Sequence, residues 1–181
     1  MPGQANRLGV MMVGVTDAVR QDVTIRRGLP TDEADLLALD QAAWGPDSGF
    51  PSLTEGERDS FFTERSKPED HLVALYDERI VGYVKLVPRY PFVEGDGVYG
   101  VYGLAVSPQA RGLGVGSALL TASEGEARRR GGRKICLNVL ATNAPARRLY
   151  ERHGYEVVGH ARAEFVINGR LVDDYSLAKF L

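Results

Sequence analysis

The segment Val106-Ser107-Pro108-Gln109-Ala110-Arg111-Gly112-Leu113-Gly114-Val115-Gly116-Ser117 decides the fold of this chain. An apolar run, Val98–Val106, leads into it and predicts a strand. A helical pattern of apolar residues follows over positions 117–130 and predicts a helix. The glycines between the two therefore form a tight turn that opens directly into the first turn of a helix.

This turn predicts a binding site for a diphosphate. The first backbone N–H groups of a helix have no partner within the helix, and the helix dipole adds partial positive charge there. Glycines leave room for a phosphate beside the backbone because they carry no Cβ. Arg111 adds a planar fork of N–H donors that suits phosphate oxygens. A glycine-rich turn that only begins an ordinary helix is the alternative.

The spacing of the glycines excludes two common nucleotide-binding loops. A Walker A loop requires a lysine after its last glycine, and none follows Gly116. A dinucleotide-binding turn has the spacing G-x-G-x-x-G, but Gly112, Gly114 and Gly116 run as G-x-G-x-G, and Ser117 occupies the third required position. The predicted strand also lies in the middle of the chain, so the N-terminal βαβ unit of such folds is missing.

A second segment, Asn143-Ala144-Pro145-Ala146-Arg147-Arg148-Leu149-Tyr150-Glu151-Arg152-His153-Gly154-Tyr155, has the pattern of a capped helix. Asn143 is a favourable N-cap, Pro145 suits the first helical turn, and Gly154 offers a C-terminal stop. Residues on one side recur at helical spacing: Ala146, Leu149, Tyr150 and His153. On its own, this segment is better explained as an amphipathic helix with a packing tyrosine.

Taken together, the two segments resemble the signatures of the GCN5-related N-acetyltransferase (GNAT) family. Arg111-x-x-Gly114-x-Gly116 resembles R/Q-x-x-G-x-G/A, and the second segment resembles N-x-x-A-x-x-L-Y-x-x-x-G-[FY] at every defined position. The resemblance implies the acyl-CoA N-acyltransferase fold. This is an α/β fold whose mixed, mostly antiparallel sheet has a V-shaped splay between its two central strands and helices on both faces.

The resemblance also implies a reaction and its site. Acetyl-CoA would donate an acetyl group directly to a primary amine, with its pantetheine arm in the gap between the two splayed strands. Tyr150 would protonate the leaving CoA thiolate. The implied cofactor-binding residues come from the strand end, the turn and the second segment: Leu104, Ala105, Val106, Arg111, Gly112, Leu113, Gly114, Val115, Gly116, Ser117, Asn143 and Arg147.

The sequence does not identify the general base or the acceptor. Many members of the family carry a glutamate on the strand before the turn, whereas residues 98–103 contain no carboxylate. Several carboxylates remain as candidates beside a water relay through Tyr99 and Tyr102: Glu94, Asp96, Asp173 and Asp174. Each of them also fits a solvated surface charge. A CoA-binding sensor without chemistry, or the same fold with another acyl donor, is the alternative function.

Length and composition indicate one globular domain. The chain has 181 residues, of which 44% are apolar and 25% charged. Its net charge of −2 does not indicate the excess of positive charge that is typical of nucleic-acid-binding proteins. We expect a flexible N-terminal leader over residues 1–22 and the acetyltransferase domain over residues 23–181. The apolar run at positions 10–15 is too short for a membrane span, so we expect a cytoplasmic protein without a membrane partner.

Metal and disulfide chemistry are not expected. His71, His153 and His160 show no metal-ligand spacing, so we predict no metal site. Cys136 is the only cysteine, which excludes an internal disulfide. Both terminal strands could pair with another chain, so a homodimer is possible.

Periodicity and turn residues predict the order of the elements. A strand at 23–26 precedes a helix with an apolar stripe at Leu36, Leu39 and Ala43, a loop over 44–51 and a second helix over 54–65. The remaining predicted elements are strands at 71–76, 80–87 and 98–106, a helix at 117–130, a strand at 135–140, a helix at 143–149, and strands at 155–167 and 172–180.

Overall fold

A mixed seven-stranded sheet forms the centre of the structure, a computed structural model that describes residues 23–45, 48–54 and 58–181, without the side chains of 53 and 54. The leader predicted for residues 1–22 lies outside the described residues. The strands are β1 (Thr24–Arg27), β2 (His71–Tyr76), β3 (Arg79–Pro88), β4 (Val98–Val106), β5 (Lys134–Leu140), β6 (Glu156–Ile167) and β7 (Arg170–Phe180).

The strands lie in the order β1-β2-β3-β4-β5-β7-β6, and only the central pair, β4 and β5, is parallel. The predicted fold class is therefore confirmed. Asn168 and Gly169 both have positive φ at the turn between β6 and β7, which is the conformation that a two-residue hairpin requires.

Helices cover both faces of the sheet. They are α1 (Glu33–Ala43), α2 (Pro51–Thr54), α3 (Val115–Arg129) and α4 (Ala144–Arg152). On one face Leu36, Leu39 and Ala43 of α1 pack in a cluster with side chains of β2, β3 and β4: Val73, Tyr83 and Ala105. On the other face α3 and α4 share a larger cluster with Leu72, Val84 and Leu137. Successive residues of a strand point to opposite faces, so Leu72 and Val73 join different clusters. No helix in the described part of the chain is long and apolar enough to cross a membrane.

The predicted helix over residues 54–65 is wrong for residues 58–65, since the helix that the structure describes here, α2, ends at Thr54. Residues 58–62 have no regular structure, and residues 64–65 form a turn closed by one isolated bridge, from Thr63 to Ser66. The carboxylate of Glu33 on α1 accepts hydrogen bonds from the backbone N–H groups of Phe61 and Phe62. These amides are thereby bound to another element, which competes with helix formation. Phe61 in turn packs on Tyr83, with ring centroids 4.9 Å apart.

The central strands separate after a short paired stretch. Residues 98–101 of β4 pair with residues 134–137 of β5, and beyond this point β4 pairs only with β3 and β5 only with β7. A bulge lies at the point of separation, because Leu86 faces Val101 while Val84 faces Leu104. Gly103, inside this bulge, has φ of +137°, a conformation that favours glycine. The V-shaped gap therefore opens at the bulge and widens toward the turn that follows β4.

Candidate active site

The free edge of β4 offers backbone hydrogen-bonding groups to the gap. The amide of Ser107 donates to the carbonyl of Val81 on β3, 2.9 Å away. Residues of an antiparallel strand alternate in the direction of their backbone groups. Because Ser107 is directed to β3, Leu104 and Val106 are directed away from it, into the gap where β5 no longer pairs. This is the arrangement that an extended arm would need to add itself as a strand.

Ala105 has a different environment from its two neighbours. The same alternation directs its backbone N–H and carbonyl to β3, where Tyr83 is its partner in the register. Its methyl group packs in the α1 cluster and lines a cavity. Of the three predicted residues of the strand end, only Leu104 and Val106 thus present free backbone groups to the gap.

The turn after β4 ends in unpaired amides at the start of α3. Within the described residues, no group accepts a hydrogen bond from the backbone N–H of Gly112, Gly114, Val115, Gly116 or Ser117. Gly112 and Gly114 have φ of +83° and +82°, which lets the chain turn tightly into the helix. A Cβ built on Gly116 would lie 3.0 Å from Leu149 Cδ2, so this glycine also permits α3 to pack closely on α4.

The two predicted arginines make contacts that the sequence did not indicate. Arg111 lines a cavity, but its Nη2 donates to the carbonyl of Ala43 at the end of α1, 2.8 Å away. Arg147 lines neither cavity. Its Nε donates to Glu151 Oε1 at 2.8 Å, and its guanidinium lies 4.3 Å from the ring centroid of Tyr175. The structure therefore brings Arg111 to the site, and it places Arg147 beside β7.

Two adjoining cavities occupy the gap. The smaller, of about 590 Å³, reaches the turn through Pro108 and Arg111. The larger, of about 780 Å³, is lined by the bulge at residues 101–104, by residues 137–140 of β5 and by Tyr150. Four residues line both: Trp44, Ser48, Leu104 and Asn143. Asn143 also acts as the N-cap of α4, since its Oδ1 accepts the amide of Ala146 at 3.2 Å. Together the cavities form one cleft that extends from the turn after β4 to residues of β6 and β7.

Tyr150 lines the larger cavity. Its side chain is 7% exposed, and no described residue forms a hydrogen bond with its hydroxyl. Burial raises the pKa of Tyr150 to about 12. The phenol therefore keeps its proton at neutral pH and can donate it in a hydrogen bond to a group in the cavity.

Asp174 is the one predicted base candidate whose carboxylate the structure places in the cleft. It lines the larger cavity, and its Oδ2 accepts from Asn138 Nδ2 at 2.5 Å. Burial, with a smaller contribution from Glu164, raises the pKa of the Asp174 carboxyl above its usual range. The aspartate beside it, Asp173, instead accepts the amide of Ala163 at 2.8 Å and contacts His160.

The remaining candidates lie away from the cleft or contribute only a hydroxyl. Glu94 and Asp96 are exposed and line neither cavity. The Tyr99 hydroxyl donates to the carbonyl of Arg130 at 3.3 Å, so it is not available for the predicted water relay. Tyr102 lines the larger cavity, so its hydroxyl remains a candidate for the water relay.

Sequence reasoning missed a buried carboxylate, Asp40, in the wall of the larger cavity. Asp40 is 4% exposed and accepts hydrogen bonds from Trp44 Nε1 at 2.6 Å, from the Tyr83 hydroxyl and from Arg58. Its position in the apolar stripe of the predicted helix was the available signal, because Leu36 and Ala43 lie one turn to either side. Three donors on one carboxylate fix the side chains that form this wall.

His71 lies in the same wall and is buried. Its Nδ1 is 2.8 Å from the carbonyl of Lys67, so Nδ1 carries the proton and Nε2 faces Ser66 Oγ at 3.5 Å. Burial lowers the pKa of His71 below its ordinary value. The imidazole is therefore neutral at physiological pH.

This burial gives a prediction for the pH dependence of stability. The unfolded chain takes up a proton at His71 near pH 6.5, while the folded protein does not, so acid favours the unfolded state. We expect the free energy of unfolding to fall by at most about 1.4 kcal/mol per pH unit from this group as pH drops below about 6.5. Urea unfolding at pH 7.5 and 5.5 should show a smaller loss for His71→Gln than for the wild type. Equal losses would contradict the burial of a neutral imidazole.

No group of three histidine, cysteine or carboxylate side chains in the described ranges is arranged to hold a metal ion. Cys136 is buried as a free thiol within a small cluster with Val98 and Ala178. The groups of the cleft that could take part in chemistry therefore include free backbone amides, the Tyr150 phenol and the half-buried Asp174 carboxylate.

Comparisons with known proteins identify related sequences. The model of the acetyltransferase (GNAT) family matches residues 34–155. The mycothiol acetyltransferase of Saccharomonospora viridis is 32% identical over 147 residues, which cover 76% of this chain and 47% of that protein. The uncharacterized N-acetyltransferase YhfO of Bacillus subtilis is 30% identical over 100 residues, or 54% of this chain and 67% of that protein. The chain thus spans about half the length of the first of these relatives.

Solved structures share the fold. The structure of smu.2055 from Streptococcus mutans has a TM-score of 0.74 at 23% identity and covers 87% of this chain and 98% of that chain. The structure of yncA from Salmonella typhimurium, solved with acetyl-CoA, has a TM-score of 0.69 at 20% identity and covers 88% of this chain and 94% of that chain. At these identities the likeness shows the fold alone.

Proposed function

The chain belongs to the acetyltransferase (GNAT) family, and we propose that it transfers an acetyl group from acetyl-CoA directly to a primary amine. One observation carries this proposal. The free edge of β4 and Tyr150 line one continuous cleft, and the unpaired amides that begin α3 follow directly after Arg111, which lines the end of that cleft. The likeness to yncA, which was solved with acetyl-CoA, supports the same donor.

The described residues fit acetyl-CoA in three places. The amides of residues 112 and 114–117 would bind the pyrophosphate, because they point outward from the positive end of α3. The backbone groups of Leu104 and Val106 would pair with the amide groups of the pantetheine arm. Asn143 is positioned for a further contact, since it lines both cavities. When bound, acetyl-CoA supplies a thioester carbonyl that an amine can attack.

Three groups of the chain would then assist the transfer. The amide of Leu104 would donate to the carbonyl oxygen as negative charge develops on it. The Tyr150 hydroxyl would donate to the departing thiolate, and its raised pKa keeps it protonated for this task. The Asp174 carboxylate would accept the proton of the acceptor amine, directly or through a water molecule. The attack joins the amine nitrogen to the acetyl carbon and breaks the bond from that carbon to sulfur.

The proposed role of Asp174 predicts a change in the pH profile. The base works only when deprotonated, so kcat/KM should rise with pH, and the raised pKa of Asp174 shifts this limb above the usual carboxyl range of about 4. Asp174→Asn should lower kcat/KM by about 10²-fold and remove the limb. Asp173→Asn is the matched control, because that carboxylate lies outside the cavities. A wild-type profile for Asp174→Asn would exclude it as the base.

Release of free thiol from acetyl-CoA across an amine panel tests the proposed function. The panel contains amino acids, polyamines and peptides. It also contains unacetylated mycothiol, because several relatives are named mycothiol acetyltransferase. We expect thiol release that depends on one class of amine. Thermal stabilisation by acetyl-CoA without thiol release would overturn the proposed transferase activity and favour the alternative function, a CoA-binding sensor. Release only from a different acyl-CoA would replace the proposed donor.

A further inference from the structure

Two cations of the larger cavity lie on one strand. Lys85 and Arg89 both line this cavity from β3 and its end. They are four residues apart, so their side chains leave the same face of the strand. The ladder remains regular across this stretch, because the amide of Arg89 still donates to the carbonyl of Val98 at 2.9 Å.

Neither cation forms an ion pair with a described residue. The Nζ of Lys85 donates to the backbone carbonyl of Arg65 at 2.8 Å, and the Arg89 guanidinium lies 5.9 Å from the ring centroid of Tyr90. Burial lowers the pKa of Lys85, and the charge of Asp70 offsets this only in part. The third cation of the cavity, Arg58, differs from both because it is paired with Asp40.

Such a pair of cations attracts anions locally. A charge that is partly removed from water without a counterion is unfavourable, and an anion that enters the cleft relieves this cost. Clefts also concentrate the field of the charges that line them. The net charge of the protein is −2, so the attraction is a property of this wall and not of the whole surface.

The wall of the cavity across the gap carries negatively charged side chains. Glu164 and Asp174 line the same cavity from β6 and β7. Lys85 lies opposite the bulge of β4. The thioester would lie at the free edge of β4, so it is one strand away from Lys85, and neighbouring strands are about 4.8 Å apart. In the strand order, the cationic side therefore lies one strand from the free edge of β4, and the acidic side lies across the gap, on the two strands beyond β5.

We propose that Lys85 and Arg89 bind an anionic group of the acceptor, a carboxylate or a phosphate, so that the acceptor is a small amine that also carries such a group. This inference rests on the proposed transferase activity. The cavity volume of about 780 Å³ is within the range of small-molecule sites.

Matched acceptor pairs test the inference. Amino acids are compared with their carboxamides, and aminoalkyl phosphates with the corresponding amino alcohols, which separates carboxylate from phosphate. We expect kcat/KM of the wild type to favour the anionic member of at least one pair by roughly 10-fold or more. Arg89→Gln and Lys85→Gln should each reduce this ratio, whereas Arg89→Lys should retain part of it. Arg79→Gln, on the exposed start of the same strand, is the matched control and should keep the ratio.

Acetyl-CoA binding is measured first by thermal shift, so that failure of the inference can be distinguished from failure of the proposed function. Equal rates within every pair, or a preference that survives in both glutamine variants, would overturn the inference. A protein that binds acetyl-CoA but acetylates no member of the panel would also overturn it. A protein that does not bind acetyl-CoA would overturn the proposed function itself.

Discussion

Replacement of Tyr150 by phenylalanine is expected to lower kcat by about 10²-fold or more and to leave the affinity for acetyl-CoA nearly unchanged. The hydroxyl has no hydrogen-bonding partner among the described residues, and it faces the larger cavity. Its removal therefore disrupts no contact of the fold. The departing thiolate would lose its donor, while the binding groups of the strand edge and the turn would remain. Steady-state kinetics combined with calorimetric titration of acetyl-CoA separates the two effects.

Tyr155→Phe is the matched control for this experiment. The Tyr155 hydroxyl is buried without a hydrogen-bond partner among the described residues, and its side chain lines neither cavity. Its removal deletes an unsatisfied polar group, so we expect wild-type kinetics and equal or greater stability. Wild-type turnover in Tyr150→Phe would remove the assigned role, and an equal loss in both variants would point to packing instead.

Replacement of Gly112 by aspartate is expected to weaken acetyl-CoA binding by about 10²-fold. The residue lies among the unpaired amides before α3, and a Cβ at this position meets no neighbouring atom within 4 Å. A carboxylate about 5 Å from a phosphate is repelled by roughly 3 kcal/mol at an effective dielectric constant near 20. That energy corresponds to about two orders of magnitude in Kd. Salt should weaken the effect, because the site is open to solvent.

Gly112→Asn isolates the charge. Its side chain has nearly the same shape, and both residues tolerate the left-handed backbone that φ of +83° imposes. The asparagine variant should therefore bind acetyl-CoA more tightly than the aspartate variant by most of the predicted factor. The aspartate variant should be at least as stable, because a negative charge near the start of a helix is favourable. Equal affinities of the two variants would place the pyrophosphate elsewhere.

The two motif segments contained enough information for the fold and for the local geometry of the turn and of α4. The turn residues, the N-cap at Asn143 and the stop at Gly154 act locally, so the sequence expresses them directly. The helix α3 begins at Val115, earlier than predicted, because Gly114 in a left-handed conformation serves as its N-cap. Apolar runs likewise predicted the strands, since burial decides their pattern.

The acceptor side depended on contacts between distant segments. Asp40 reaches Tyr83 and Arg58, and Glu33 binds residues 61 and 62 and holds them out of a helix. Asp173 and Asp174 look alike in sequence, but alternation along β7 turns only Asp174 into the cleft. The environment of Arg147 could not be predicted from the sequence for the same reason, because its contact with Tyr175 joins α4 to a strand that is distant in sequence.

Hydrogen exchange of the wild-type protein, with and without acetyl-CoA, tests the central claim most directly. The proposed binding mode converts free backbone N–H groups into hydrogen-bonded ones, which slows their exchange. We expect acetyl-CoA to protect the amides of Leu104, Val106 and residues 112 and 114–117 together, and to leave the exposed hairpin turn at Asn168 and Gly169 unchanged. Absence of protection at both the strand edge and the turn would contradict the assignment of this cleft to acetyl-CoA.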